Sequence, residues 1–320
     1  MVNATVSTAK METLLDALDA GSWTRKAAGD AAPAFVLPDT DGHQVTVDPA
    51  QHAATVLVFT SNACPYALAW HDRLQQVARD YADRAVEVVQ VVSNDDQQQP
   101  ADSVQNMRAR ERAGDIAGRH LKDAEQAVAR RYGATATPEV YVVDSAAVIR
   151  YHGVPDGDHD DPAQGARLVR DALDSVLSGQ PVAVPDTSPA GCSLKWRVEL
   201  LWWDGCPSHE EAGRLLQSTL DGMGRSDVPV RRVHIGTQAD AASRAFPGSP
   251  TFQVGGLDLF PSDAPAALGC RVYQRPDGRL APLPSGDQLQ ERLREALARP
   301  WDLPGWTDIR RTPVEHKGAS

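Results

Sequence analysis

Hydrophobic positions along the chain follow two rhythms. Short apolar, β-branched runs such as ATVLVF (54–59), AVEVVQVVS (85–93), EVYVVD (139–144), AAVIRYHG (146–153), RVELLWW (197–203) and VPVRRVHI (228–235) predict strands. AVEVVQVVS has the continuous apolar character of a strand covered on both faces of a parallel sheet. Between the strands the apolar spacing changes to that of a helix. Ala67, Trp70, Leu74, Val77 and Tyr81 share one face, as do Ala212, Leu215, Leu216, Leu220 and Met223. Further helices are predicted over Met11–Asp19, around 101–113, in AEQAVARRYG before Gly133, and over 162–178, 237–246 and 285–298. Asp-Gly turns at 41–42 and 277–278 mark two hairpins, one in GDAAPAFVLPDTDGHQVTV and one in CRVYQRPDGRLAPL.

The pattern runs twice: strand, Cys-Pro turn, helix, strand, helix, Pro-preceded strand pair, helix. Alternating elements of this kind predict an α/β protein with helices flanking a mixed sheet in each half. The expected organisation is an arm at 1–28, a first domain at 29–196, a second at 197–300 and a tail at 301–320. The end of the first domain, SGQPVAVPDTSPAGCSLKW, carries Pro181, Pro185, Pro189 and Gly191 and reads as an ordered linker.

At 320 residues the chain is long enough for two ordinary cores, and its net charge of −11 argues against nucleic acid or an anionic membrane as partner. No basic leader or long apolar span is visible, so a cytoplasmic protein is expected. Four cysteines are too few for a secreted disulfide scaffold, and no phosphate loop, nucleotide fingerprint or serine nucleophile appears. No cofactor is therefore expected, and the chemistry rests on thiols.

Two of the cysteines stand at strand-to-helix turns, Cys64 in TSNACPYA and Cys206 in DGCPSH; Cys192 lies in the linker and Cys270 opens a hairpin. A thiol at a helix N-terminus faces unsatisfied N–H groups and the positive end of the helix dipole, both of which favour thiolate. Each cysteine also has a structural alternative as a small buried apolar residue. Cys206, His209 and Cys270 together offer soft ligands for zinc, copper or mercury, with Asp204 as an acid, but no compact paired Cys-x-x-Cys set supports a dedicated metal site. The DGDHDDP cluster at 156–162 reads as a solvated acidic loop.

These motifs resemble the thioredoxin superfamily, twice over. GDAAPAFVLPDTDG, VFTSNACPY, YGATATPEVYVVD, IRYHG and the linker resemble the redoxin branch. VELLWWDGCPSHEEA, FPGSPTFQVGG and CRVY resemble a small thioredoxin-like domain. The resemblance implies cis peptide bonds before Pro138 and Pro250, which with Thr137 and Ser249 would shape substrate pockets beside the Cys64 and Cys206 sulfurs. It places Ala67 and His209 at the resolving position, so His209 would support a Cys206 thiolate, and it places Ser61 where peroxiredoxins orient peroxide. Leu57 replaces the proline of that family, and Val58 and Leu200 replace the buried carboxylate of thioredoxins. Cys206 is the leading nucleophile and Cys64 the second. Cys206 with Cys270 is the preferred resolving pair, ahead of Cys64 with Cys192.

The expected function is a thiol-dependent oxidoreductase working by thiol transfer, with a small thiol, protein disulfide or peroxide as substrate and a thiol reductant as partner. A homo-oligomer is compatible with this reading. The alternative is a non-catalytic thioredoxin-like pair that binds peptide, metal or organomercurial.

Overall fold

The computed structural model describes residues 25–298. The helix expected at Met11–Asp19 and the tail lie outside them. The first sheet is built on β3 (Ala54–Thr60), a seven-residue strand that is almost entirely buried. β4 (Val86–Val92) pairs with it in parallel and β7 (Glu139–Asp144) antiparallel. β5 (Arg119–Lys122) and β8 (Ile149–Gly153) close the two edges, giving the order β5-β4-β3-β7-β8. A β1–β2 hairpin (Phe35–Pro38, Gln44–Val47) precedes it, as its Asp-Gly turn predicts.

Helix α1 (Pro65–Asp80) starts directly after β3 and buries Ala67, Trp70, Leu74 and Val77, the face given by its apolar spacing. Helix α2 (Val104–Arg112) is capped by the Ser103 side chain, α3 (Ala127–Tyr132) ends at Gly133 in the left-handed region, and α4 (Arg167–Leu177) covers the sheet. The edge strand β5, with sequence RHLK, is not visible in the hydrophobic pattern. Lys122 is nevertheless buried because its ammonium donates to the Asn94 and Asp102 carbonyls.

β10 (Val198–Trp202), β11 (Val230–His234), β12 (Thr251–Val254) and β13 (Leu257–Asp258) form the second sheet in the order β11-β10-β12-β13. Its β10 pairs with β11 in parallel and with β12 antiparallel, so the four strands repeat the β4-β3-β7-β8 arrangement. Helices α5 (His209–Gly222), α6 (Gln238–Ser243) and α7 (Gly286–Ala296) accompany it, with the β14–β15 hairpin (Tyr273–Gln274, Leu280–Ala281) between the last two.

The halves are joined by one continuous apolar cluster that runs from Phe59 and Tyr132 through Trp196 to Leu200 and Phe252. Arg197 adds an ion pair to Glu125, and Arg231 donates to Asp96 at 2.7 Å and closely to Asp95. Among the described residues no helix is long and apolar enough to cross a membrane.

Candidate active site

Cys64 is the N-cap of α1, and Pro65 fills the first helical position, where a missing N–H costs nothing. The turn leading to it is fixed from beneath by Asp102, which is fully buried. Its carboxylate accepts from the Ser61 hydroxyl at 2.7 Å, the Asn62 N–H at 2.6 Å and the Asn94 amide at 2.7 Å. Ser61 thus holds the turn through its hydroxyl.

The peptide bonds before Pro138 and Pro250 are both cis. Thr137 and Pro138 lie buried beside Cys64, whose sulfur sits 2.9 Å from the Thr137 carbonyl oxygen. The linker then returns across the front of this loop. Asp186 accepts the Ala28 N–H and approaches His152 at 3.6 Å, Leu194 N–H donates to the Thr135 carbonyl, and Lys195 N–H donates to Asn94. Between these ties, β9 (Cys192–Ser193) pairs antiparallel with β6 (Ala136–Thr137), setting Cys192 opposite Thr137. The return is tight: a Cβ on Gly191 would lie 2.1 Å from the Thr137 carbonyl oxygen.

This path brings the Cys192 thiol onto Cys64. The hydrogen bond from the Cys192 side chain is the largest influence holding the Cys64 thiol down, to about 6; burial opposes it. The Thr137 side chain and the N–H groups of Ala67 and Cys192 lower it further. The Thr137 carbonyl, which accepts from the Cys64 thiol, favours the neutral form and opposes these donors. Cys192 moves the opposite way, raised because its proton is shared with the Cys64 sulfur and because it is partly buried. The two thiols therefore shift in opposite directions, Cys64 down and Cys192 up.

Sequence reasoning passed over the buried polar layer behind the loop. Glu139, which follows Pro138, is fully buried. It accepts the Thr135 and Ala136 N–H groups at 2.8 and 3.0 Å and pairs with His152 at 2.7 Å. A carboxylate opening the otherwise apolar run EVYVVD was the available signal. Burial lowers the His152 pKa, but its pairing with Asp186 and Glu139 outweighs this and raises it above the ordinary imidazole value. Asp156 is a second such group: fully buried, it accepts from the Trp70 indole at 2.6 Å and the Arg73 guanidinium at 2.9 Å, tying α1 to the loop beyond β8.

The second half departs from the expected site. Helix α5 begins at His209, three residues after Cys206, so this sulfur does not cap a helix. The cause is local. In the first half the Cys64 carbonyl accepts the Leu68 N–H and starts the helix, whereas the Cys206 carbonyl is taken by the His209 imidazole at 2.7 Å. His209 therefore serves the backbone and stacks on Trp202 with centroids 4.5 Å apart, and Asp204 pairs with His234 at 3.0 Å. Ser249 accepts the Trp203 N–H, and beside Pro250 it forms a backbone bridge with Cys270. Cys206 is buried and Cys270 exposed. Cys206, His209 and Cys270 are not gathered as ligands. Among the described residues the one group within reach of a single ion is Asp158, His159 and Asp160, on the exposed acidic loop.

The fold and this site define a thioredoxin-like protein. Residues 28–152 match the AhpC/TSA family. The first half of the chain thus carries a redoxin domain of that family. Among solved structures, a hypothetical protein of Sinorhizobium meliloti 1021 is 33% identical and covers 54% of this chain and 96% of its own, at a TM-score of 0.49. An uncharacterized conserved protein of Geobacillus kaustophilus is 34% identical, covering 56% of this chain and 95% of its own, also at 0.49. A peroxidoxin of Mycobacterium tuberculosis is 17% identical, with coverages of 48% and 98% and a TM-score of 0.38. No curated protein matches.

Proposed function

We propose that the protein is a dithiol–disulfide oxidoreductase whose redox pair is Cys64 and Cys192. The pair lies within a first domain of residues 29–196, followed by a second thioredoxin-like domain at 197–300. The single observation that carries this reading is the second thiol set against the first by the β6–β9 pairing. Ala67 vacates the place of a local resolving cysteine, and Cys192 supplies that thiol from the linker. Single-thiol transfer, the expectation from sequence, is replaced by dithiol chemistry.

The arrangement supports each step that a disulfide exchanger needs. The Cys64 pKa is lowered to about 6, which favours thiolate at neutral pH, and the β6–β9 pairing sets Cys192 opposite Thr137, the residue whose carbonyl meets the Cys64 sulfur. Losing two electrons and the Cys192 proton joins the two sulfurs as a disulfide. The substrates that fit are disulfides and thiols. Peroxide fits less well, because Ser61 is bound to Asp102 and Leu57 stands where peroxiredoxins carry proline.

The test is to treat the fully reduced protein with glutathione disulfide and map the products without reduction. A peptide linking Cys64 to Cys192 is expected, together with loss of disulfide reduction in Cys64→Ser and Cys192→Ser. A Cys206–Cys270 link, or no internal disulfide, overturns the proposal.

A further inference from the structure

In thioredoxin-like exchange the cysteine at the helix N-terminus is the one expected to meet the substrate. Here that cysteine is the hidden one. Cys64 is 1% exposed, whereas Cys192, on the linker in front of it, is only partly covered. Building on the Cys64–Cys192 pair proposed above, we infer that Cys192 is the sulfur that exchanges with substrate and that Cys64 is the internal leaving group and resolving thiolate.

Disulfide exchange needs the attacking sulfur, the attacked sulfur and the leaving sulfur nearly in line. Attack on Cys192 that expels Cys64 comes from the side facing away from Cys64, and Cys192 is the partly exposed member of the pair. Attack on Cys64 that expels Cys192 would have to reach a residue that is 1% exposed at the N-cap of α1. The better leaving group is the sulfur whose thiolate is more stable. Donation from the Ala67 and Cys192 N–H groups makes that sulfur Cys64. Access and leaving-group quality thus select the same direction.

The steps balance as follows. A substrate thiolate attacks the Cys192 sulfur of the oxidised enzyme. A substrate–Cys192 disulfide forms, the Cys192–Cys64 bond breaks, and the electron pair leaves on Cys64. A second substrate thiolate then attacks the substrate sulfur of that mixed disulfide, releasing substrate disulfide. Cys192 leaves as thiolate and takes a proton from solvent. Two thiols are oxidised and one enzyme disulfide is reduced. Run backwards, Cys192 passes its proton to Cys64 and attacks the substrate disulfide as thiolate, expelling one substrate thiolate; Cys64 then loses that proton to solvent and attacks the Cys192 sulfur, expelling the second substrate thiolate and closing the internal disulfide.

Two measurements test this. In the first, oxidised wild-type protein, shown by mapping to carry the Cys64–Cys192 link, is mixed with reduced glutathione, quenched rapidly with acid and mapped. The glutathione mass is expected on the peptide bearing Cys192 and absent from that bearing Cys64. In the second, Cys64→Ser and Cys192→Ser proteins are exposed to glutathione disulfide at alkaline pH, where either remaining thiol ionises. Cys64→Ser is expected to retain a mixed disulfide on Cys192, formed about tenfold or more faster than any on Cys192→Ser. Glutathione on Cys64, equal rates in the two variants, or no adduct in either overturns the inference while leaving the redox pair in place. Absence of the internal disulfide from the starting material overturns the pair itself.

Discussion

At Cys64 the helix terminus is only part of the cause of acidity. The Ala67 N–H is one donor among four, and the Cys192 thiol contributes most. A hydrogen bond to a charged group contributes about 1.5–3 kcal/mol, which at about 1.4 kcal/mol per pH unit corresponds to one to two units. In Cys192→Ala the Cys64 titration, followed by ultraviolet thiolate absorbance, is therefore expected to move up from about 6 by roughly that amount. In Cys64→Ser the low-pH transition is expected to vanish. An unchanged midpoint in Cys192→Ala would remove the thiol–thiolate contact from the account. The place of Cys64 at a helix N-terminus was legible in the sequence, because Cys-Pro after a β-run fixes the N-cap. Its partner was legible only as one of two options, because no local spacing tells where a linker 128 residues downstream returns. The preference for Cys206 rested on His209 one turn away, and it failed on a side-chain choice that the sequence leaves open: the imidazole bonds the Cys206 carbonyl.

The elements that position the pair are of two kinds. β3, α1, β4 and β7 announce themselves, since each buries apolar side chains at its own period. β6 and β9 have two residues each and no periodicity at all. They exist because the linker is pinned on either side, and Gly191 lets the chains approach. In Gly191→Ala the added methyl would meet backbone, the Thr137 carbonyl oxygen at 2.1 Å and its carbon at 2.7 Å, so the pairing must open. The expected result is a loss of stability of about 1–3 kcal/mol and slower closure of the Cys64–Cys192 disulfide, read by quenched alkylation after oxidant is added. Gly286→Ala, where the methyl enters open space, is the control expected to leave closure unchanged. Equal closure rates in the two variants would mean that β9 does not hold Cys192 in place. The same reasoning explains why β5 escaped notice, its edge position and buried Lys122 being satisfied by carbonyls from elsewhere in the fold.

Across the whole molecule, the repeated strand–turn–helix scheme was visible in the sequence and returns as two sheets with matching strand order. Visible repetition of elements did not extend to every detail of the turn, since Cys64 caps its helix whereas Cys206 stands ahead of one whose N-cap is Ser208. The consequence of the Cys64 placement appears in a property of the intact protein, the pH dependence of its reduction. Cys64 has a depressed pKa, so its stabilisation of the reduced fold is fully present above the unfolded thiol value and is lost as pH falls through about 6. Above that value, reducing the disulfide takes up two electrons and one proton, because Cys192 is protonated and Cys64 is not. Below it, two protons are taken up. For a two-electron couple one proton per reduction corresponds to about 30 mV per pH unit and two protons to about 60 mV. The midpoint potential, measured against glutathione buffers from pH 5 to 8, is therefore expected to fall with the steeper slope on the acid side and the shallower slope above a bend near 6. A constant slope of about 60 mV per unit through pH 8 would mean that both thiols stay protonated in the reduced protein, and the lowered Cys64 pKa would have to be abandoned.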